Sequence, residues 1–233
     1  GTRRNAATVG IHNFVTRDGI APDEFRRIGR EQLAPYASVQ VRDEAIEAIE
    51  GERGAFVVRL PSGAVRARRV LLTTGLIDEL LPIEGVKEVW GHSMIQCPYC
   101  HGWELKDRPW AYLARAPHLS HAVPFTLMLR AWSDDVSLLT NGAFELPATL
   151  REQLDGGGVR VITTPIQRLV SADTALQRIE FTDGSTRPCG ALFVHPPQRQ
   201  VDLVQRLGLE LDAEGFVRVE PLRCETSVPG VYA

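Results

Sequence analysis

The 233-residue chain is 44% hydrophobic and 24% charged, enough apolar sequence to bury one large or two modest cores, which excludes a disordered, collagen-like or coiled-coil chain. A formal net charge of -3 excludes a nucleic-acid binder, because the one basic cluster, Arg66, Arg68 and Arg69, reads as a solvated strand edge. No run approaches the ~20 apolar residues that cross a bilayer, and Gly1-Thr2-Arg3-Arg4-Asn5 has no apolar signal core, so no membrane partner is expected and a reducing, cytoplasmic setting is the default.

Residues 1–13 carry neither a helix cap nor a starting strand, as if the chain opened in mid-domain, and run into the turn Arg17-Asp18-Gly19. Pro22, Asp23 and Glu24 suit the first turn of a helix, and Phe25, Ile28 and Leu33 keep helical spacing to about Pro35. Strands are expected over Ser38–Arg42 and Ala45–Ile49. Phe56–Leu60 and Val65–Arg68 flank Pro61-Ser62-Gly63 as a hairpin. Val70–Gly75 is apolar on both faces until its end, the pattern of a buried parallel strand. A short connection, 85–91, leads to the cysteine stretch.

Beyond it, a strand over Trp110–Ala114, a helix over His118–Trp132 and a strand over Val136–Thr140 make a βαβ unit. A helix over Pro147–Leu154 is stopped by Gly156-Gly157-Gly158, and Val159–Ile162 is a strand. Leu169-Val170, Leu176–Phe181, the turn Thr182–Ser185 and the strand Gly190–Val194 then repeat the order of residues 45–75. After the connection 195–198 come a helix over Leu203–Leu207, a strand over Phe216–Val219 and an extended Thr226–Ala233. The weak internal repeat predicts an α/β chain of two related domains. The first comprises 1–88 and 195–233, and the second, 89–194, is inserted into it and carries the cysteines.

The stretch Cys97-Pro98-Tyr99-Cys100-His101-Gly102-Trp103-Glu104 holds two of the four cysteines. In a reducing compartment a Cys-x-x-Cys pair reads as redox-active or metal-binding. A helix starting there stabilises a thiolate at its positive end. Pro98 stiffens the loop, and His101 is placed to shuttle the proton that thiol chemistry moves. Other readings stand beside this one. Cys-x-x-Cys-His is the attachment pattern of c-type haem, though Met94 and Met128 offer no obvious distal ligand. Zinc needs two more ligands, and Cys189 and Cys224 are isolated, as small hydrophobes in packing positions are; no metal site is expected. The pair could also be buried packing. Cys-Pro-Tyr-Cys suggests glutaredoxin as well, but that fold carries the motif just after its first strand.

The motif is not alone. Together with Arg4-Asn5-Ala6, His12-Asn13-Phe14, Arg17-Asp18-Gly19, Thr73-Thr74-Gly75, Leu129–Val136 and Thr226–Ala233, it resembles the low-molecular-weight thioredoxin reductases. Within them it is similar to the Cys-x-x-Cys-His-Gly branch that includes the gliotoxin- and holomycin-type dithiol oxidases. The resemblance implies two Rossmann-like three-layer domains, an FAD domain interrupted by an NAD(P)-binding one. It implies Cys100 as the flavin-facing thiol, Cys97 as the thiol that exchanges with substrate and His101 as the acid-base group. Arg4, Asn5, His12 and Asn13 would lie along the flavin, with Ala45, Thr74 and Gly75 as further FAD contacts. The implied partners are a thioredoxin-like protein or a small dithiol or disulfide, and a second copy in a homodimer.

The departures are specific. The Gly-x-Gly-x-x-Gly loop that seats the FAD pyrophosphate and the Gly-Asp that follows Val-Tyr-Ala-Ala are not in this sequence, which resembles the reductase without its two ends. Leu113-Ala114-Arg115-Ala116-Pro117-His118 stands where the family carries a Gly-rich turn, and Thr140-Asn141-Gly142-Ala143 offers no arginine for a 2′-phosphate, so NAD(P)H is disfavoured. The expectation is an FAD-dependent dithiol/disulfide oxidoreductase, tilted towards thiol oxidation, with the segments 85–91 and 195–198 as hinges. The alternative is a flavin-free scaffold for protein interaction.

Overall fold

Uninterrupted apolar runs become the buried strands. The computed structural model describes residues 3–116 and 119–233. In chain order its elements are α1 (Pro22–Leu33), β1 (Ala48–Glu50), β2 (Phe56–Leu60), β3 (Gly63–Ala67), β4 (Val70–Leu71), β5 (Leu76–Asp78), α2 (Val86–Val89), β6 (Met94–Ile95), α3 (Pro98–Leu105) and β7 (Trp110–Leu113). They continue as α4 (Leu119–Leu129), β8 (Val136–Leu139), α5 (Ala148–Gly156), β9 (Arg160–Ile162), β10 (Ile166–Ala172), β11 (Ala175–Phe181), β12 (Thr186–Pro188), β13 (Ala191–Val194), β14 (Gln198–Gln200), α6 (Asp202–Arg206) and β15 (Val231–Tyr232). Pro117 and His118, expected in the turn and the first helical residue before α4, lie outside the described residues, as do Gly1 and Thr2 of the opening stretch.

The chain divides into two compact units. One joins the residues up to Ile28 with Leu80–Pro196, and the other joins Gly29–Glu79 with Pro197–Ala233; the divide falls within α1.

In the first unit, β6-β13-β7-β8-β9 form a five-stranded parallel sheet. Alternate side chains of its central strand serve different cores. Trp110 and Tyr112 pack with Leu129 of α4 and Leu154 of α5, while Ala111 and Leu113 pack with Ile179 and Phe181 of the antiparallel meander β10-β11-β12. The sheet is thus covered by helices on one face and a meander on the other, which is why β7, β8 and β13 are buried throughout. The stretch 85–91, expected as a connection, instead contains α2, whose Val86 and Val89 are buried among the meander residues. Gly85 takes φ 86° there because its Cα faces the Leu169 carbonyl with no room for a Cβ. The triple glycine stops α5 as expected: Gly157 caps it and Gly158 turns the chain at φ 70°.

In the second unit, β1-β2-β3 form another antiparallel meander, β4 pairs in parallel with β15, and β5 pairs with β14. Phe56, Leu72, Val204, Leu209 and Val231 make its core. Four expectations fail here. Ser38–Arg42 forms no strand, because Val39 and Val41 stay exposed with no sheet to cover them. The strand expected over Ala45–Ile49 begins only at Ala48. Val70–Gly75 is a strand only at Val70–Leu71, and Leu71 is 68% exposed, because among the described residues β4 has a neighbour on one side alone. Phe216–Val219 reduces to the bridge Leu211–Val217. The order of meander then parallel strand nevertheless recurs in both units, as the internal repeat predicts. No helix among the described residues is long and apolar enough to cross a membrane.

Candidate active site

The cysteine motif sits at the start of α3. Cys97 is its N-cap in extended conformation, Pro98 occupies the first turn, and the Cys100 amide donates to the Cys97 carbonyl at 3.2 Å. That turn places the two Cα atoms 5.3 Å apart, and the sulfurs are joined as a disulfide. Cys97 is half-buried and Cys100 exposed. Gly102 lets α3 lie close on two indoles: a Cβ there would meet the Trp132 Nε1 at 3.1 Å and the Trp110 ring at 3.2 Å, and the rings would have to give way by a few tenths of an ångström.

His101 follows directly. Its Nε2 is buried and has no hydrogen-bond partner among the described residues. Burial holds its pKa below the ordinary value of 6.5, the nearby His12 pushes it the same way, and Glu104 opposes them. At neutral pH the ring is therefore an uncharged imidazole, able to accept a proton.

The opening stretch of the chain comes to the same place. The Arg4 guanidinium donates to Gln96 Oε1 at 2.8 Å, and the Asn13 side-chain amide donates to the Tyr99 carbonyl. The His12 ring lies 6.4 Å from the His101 ring, with its Nδ1 3.5 Å from Glu104 and 3.7 Å from Asp18. Arg4, His12 and Asn13, expected along a flavin, thus gather around the cysteine helix. Asn5 instead accepts from Arg26 of α1 at 3.2 Å. Ala45, Thr74 and Gly75 belong to the other unit, where all three are exposed.

Gln96 carries no signal in the sequence, and Tyr99, Trp103 and Glu104 enter there only as members of the motif. Glu104 and Gln96 acquire partners only in the fold. Tyr99 and Trp103, spaced i, i+4 on α3 and 61% and 70% exposed, flank the dithiol. Tyr99 meets Trp132 edge-on at 5.2 Å, and the Lys106 ammonium stands 3.8 Å over the Trp103 ring.

The other two cysteines are free thiols. Cys189 is buried, its thiol pushed up to about 12 by desolvation, which makes it an inert packing group. Cys224, expected to be packed, is exposed in a turn at φ 55°, where its amide donates to the Glu220 carbonyl. Among the described residues no group of three His, Cys, Asp or Glu side chains could hold a metal ion.

No family model matches the chain. Individual relatives do. It is 30% identical over 238 residues to the thioredoxin reductase aclD of Aspergillus oryzae, covering 97% of this chain and 75% of the relative. The chain belongs to the thioredoxin reductase family. Two solved structures extend the match over the whole chain. An assigned thioredoxin reductase, TrxB, from Bacillus anthracis superposes with TM-score 0.88 at 34% identity, with 78% of its chain covered. HlmI superposes with TM-score 0.85 at 38% identity, with 73% covered. The chain spans 65% to 76% of the length of the fungal family members it matches.

The neutral state of His101 has a thermodynamic consequence. Its folded pKa lies below the unfolded one, so between the two values the unfolded chain binds more protons. The contribution is therefore complete above 6.5 and is lost as pH falls through the folded value. Urea midpoints measured at about pH 7.5 and about pH 5 are expected to drop more for the wild type than for His101→Gln. An equal drop would remove the neutral histidine from the site.

Proposed function

We propose that the chain is a flavin-linked dithiol/disulfide oxidoreductase of the thioredoxin reductase type, and that it belongs to the Cys-x-x-Cys-His-Gly branch of gliotoxin- and holomycin-type dithiol oxidases. The observation that carries the reading is the Cys97–Cys100 disulfide at the start of α3 with an uncharged histidine directly behind it. The motif Cys97–Glu104 and the 38% identity to HlmI support the branch.

The orphaned Nε2 of His101 suits a further group that brings a polar edge of its own. Family resemblance assigns Arg4, His12, Asn13, Ala45, Thr74 and Gly75 to FAD; Asn5, engaged by Arg26, is the weakest member of that set. FAD, when bound, supplies the two-electron acceptor that returns the reduced cysteines to the disulfide. The nested layout, one dinucleotide-binding-like domain inserted in another, is part of the same proposal and is supported by the recurring meander.

The thiol steps belong to the chain itself. A substrate thiolate attacks the Cys97 sulfur, the Cys97–Cys100 bond breaks, and Cys100 leaves as a thiolate. The second substrate thiol then attacks the mixed disulfide. Cys97 leaves, the substrate disulfide forms, and two electrons have passed to the cysteine pair. His101 accepts the proton that the second thiol releases, which an uncharged imidazole does and an imidazolium does not. The positive end of α3 stabilises the sulfur charge that develops beside it. Tyr99 and Trp103 offer an apolar shelf for a small dithiol or for the loop of a thioredoxin-like protein.

A visible spectrum tests the reading. Protein incubated with FAD and desalted is expected to keep a flavin band near about 450 nm that bleaches on adding a dithiol and returns in air. A colourless protein that no reconstitution loads with FAD overturns the proposal in favour of a scaffold.

A further inference from the structure

In an open parallel sheet, ligands bind beyond the carboxyl ends of the strands, at the point where the strand order reverses. In the order β6-β13-β7-β8-β9, the chain runs outward from β7 through β8 to β9, whereas β13 lies on the opposite side of β7. The reversal therefore falls between β7 and β13. A pyrophosphate taken up there needs backbone that it can approach closely, which is the usual reason for glycine at the strand ends.

Side chains of this unit meet at the two strand ends. Leu113 and Val194 are paired across the two strands, so Ala114 and His195 are the first residues past the sheet edge. The His195 ring lies 5.0 Å from Phe125 and 5.8 Å from Tyr112, edge-on to both. Its Nδ1 is 3.2 Å from the Tyr112 hydroxyl. Tyr112 is 1% exposed and burial raises its pKa to about 12, so the phenol keeps its proton for that bond. Arg115, just past β7, donates to the His195 carbonyl at 3.2 Å and ties the two strand ends together. Ala114 is 3% exposed. These residues do not fit a pyridine nucleotide.

We propose that the crevice is closed from within: His195, seated on Tyr112 and Phe125 and clasped by Arg115, stands where a dinucleotide pyrophosphate would lie, and this unit takes up no NAD(P)H. The inference concerns a different site from the dithiol and does not depend on the thiol chemistry proposed for it.

NADPH titration of the whole chain, read as energy transfer from tryptophan to bound NADPH, with NADP+ retention by equilibrium dialysis as a second readout, tests it without any turnover. The wild type is expected to show no saturation up to about 1 mM. His195→Gly removes the ring, and with it the expected affinity tightens at least about tenfold. His195→Ala, which spares the backbone the added freedom of glycine, is expected to move in the same direction, and urea transitions establish that both variants are folded. Saturable binding by the wild type below about 1 mM overturns the closure. Folded variants that bind no better than the wild type overturn the role of His195. Failure of FAD loading or of dithiol oxidation changes none of these readings, so the two proposals stand or fall separately.

Discussion

Cys100→Ser and Cys97→Ser are each expected to lower the steady-state oxidation of a small dithiol by the FAD-loaded protein at least about a thousand-fold, roughly 4 kcal/mol of transition-state stabilisation. The size follows from the chemistry: without the second sulfur there is no disulfide for the substrate to attack. The buried thiol of Cys189 is held protonated, and it packs in the core on the meander face of the sheet, whereas Leu105 of α3 packs on the helix face. The two variants separate the roles. Given a small disulfide, Cys100→Ser is expected to accumulate a mixed disulfide at Cys97, because the hydroxyl left by the substitution does not displace it, and intact-mass spectrometry reads the adduct. In a Cys224→Ser background, which removes the exposed free thiol, Cys97→Ser is expected to trap none. If the adduct forms on the other variant, the assignment of Cys97 to the substrate and Cys100 to the flavin is reversed. If neither variant loses activity, the site lies elsewhere.

Trp110→Ala is expected to be the most damaging single change to the scaffold. Trp110 is 0% exposed in the central strand of the parallel sheet, 4.8 Å from Phe193 and stacked with Trp132 at 6.1 Å. Large aromatic truncations of this kind cost about 3–5 kcal/mol, a large share of the ~5–15 kcal/mol that holds a typical domain together. The indole also supports α3 directly. Its Nε1 donates to the Leu105 carbonyl at 2.8 Å, at the last residue of the helix, and its ring lies under Gly102. The urea midpoint is expected to fall with an unchanged m value, and dithiol oxidation to fall with it as α3 loses its seat. Trp110→Phe keeps most of the buried ring but leaves the Leu105 carbonyl unpaired, a cost of about 1–3 kcal/mol, and is expected to lie between. A Trp110→Ala protein with wild-type stability would mean that α3 and the sheet are not coupled through this residue.

Legibility in the sequence followed the strength of the local constraint. Trp110–Ala114, Val136–Thr140 and Gly190–Val194 announced themselves because a strand covered on both faces admits few polar residues, and the structure has strands at Trp110–Leu113, Val136–Leu139 and Ala191–Val194. The first helix announced itself through Pro22, Asp23 and Glu24 and runs from Pro22 to Leu33. Ser38–Arg42 misled because alternation describes a strand only where something covers one face, and Val39 and Val41 have no cover. Val70–Gly75 misled for a related reason: its composition is that of a buried strand, but Leu71 lies exposed beside a single paired neighbour. Residues 85–91 read as a link because a single helical turn is too short to show a period, whereas Val86 and Val89 are core residues.

The reacting atoms and their order along the chain are legible in the amino-acid sequence alone. Two cysteines three residues apart, with a proline between them and a histidine behind, are brought together by the first turn of a helix, a local geometry that the distant parts of the fold do not alter. The state of that histidine and its surroundings come from the packing. A pKa depends on burial and on charges brought close in space, and His12, Glu104 and the orphaned Nε2 of His101 meet only because the opening stretch folds back onto α3. The same holds at the carboxyl end of the sheet, where His195 read as the start of a connection and became, through Tyr112 and Arg115, part of a packed crevice.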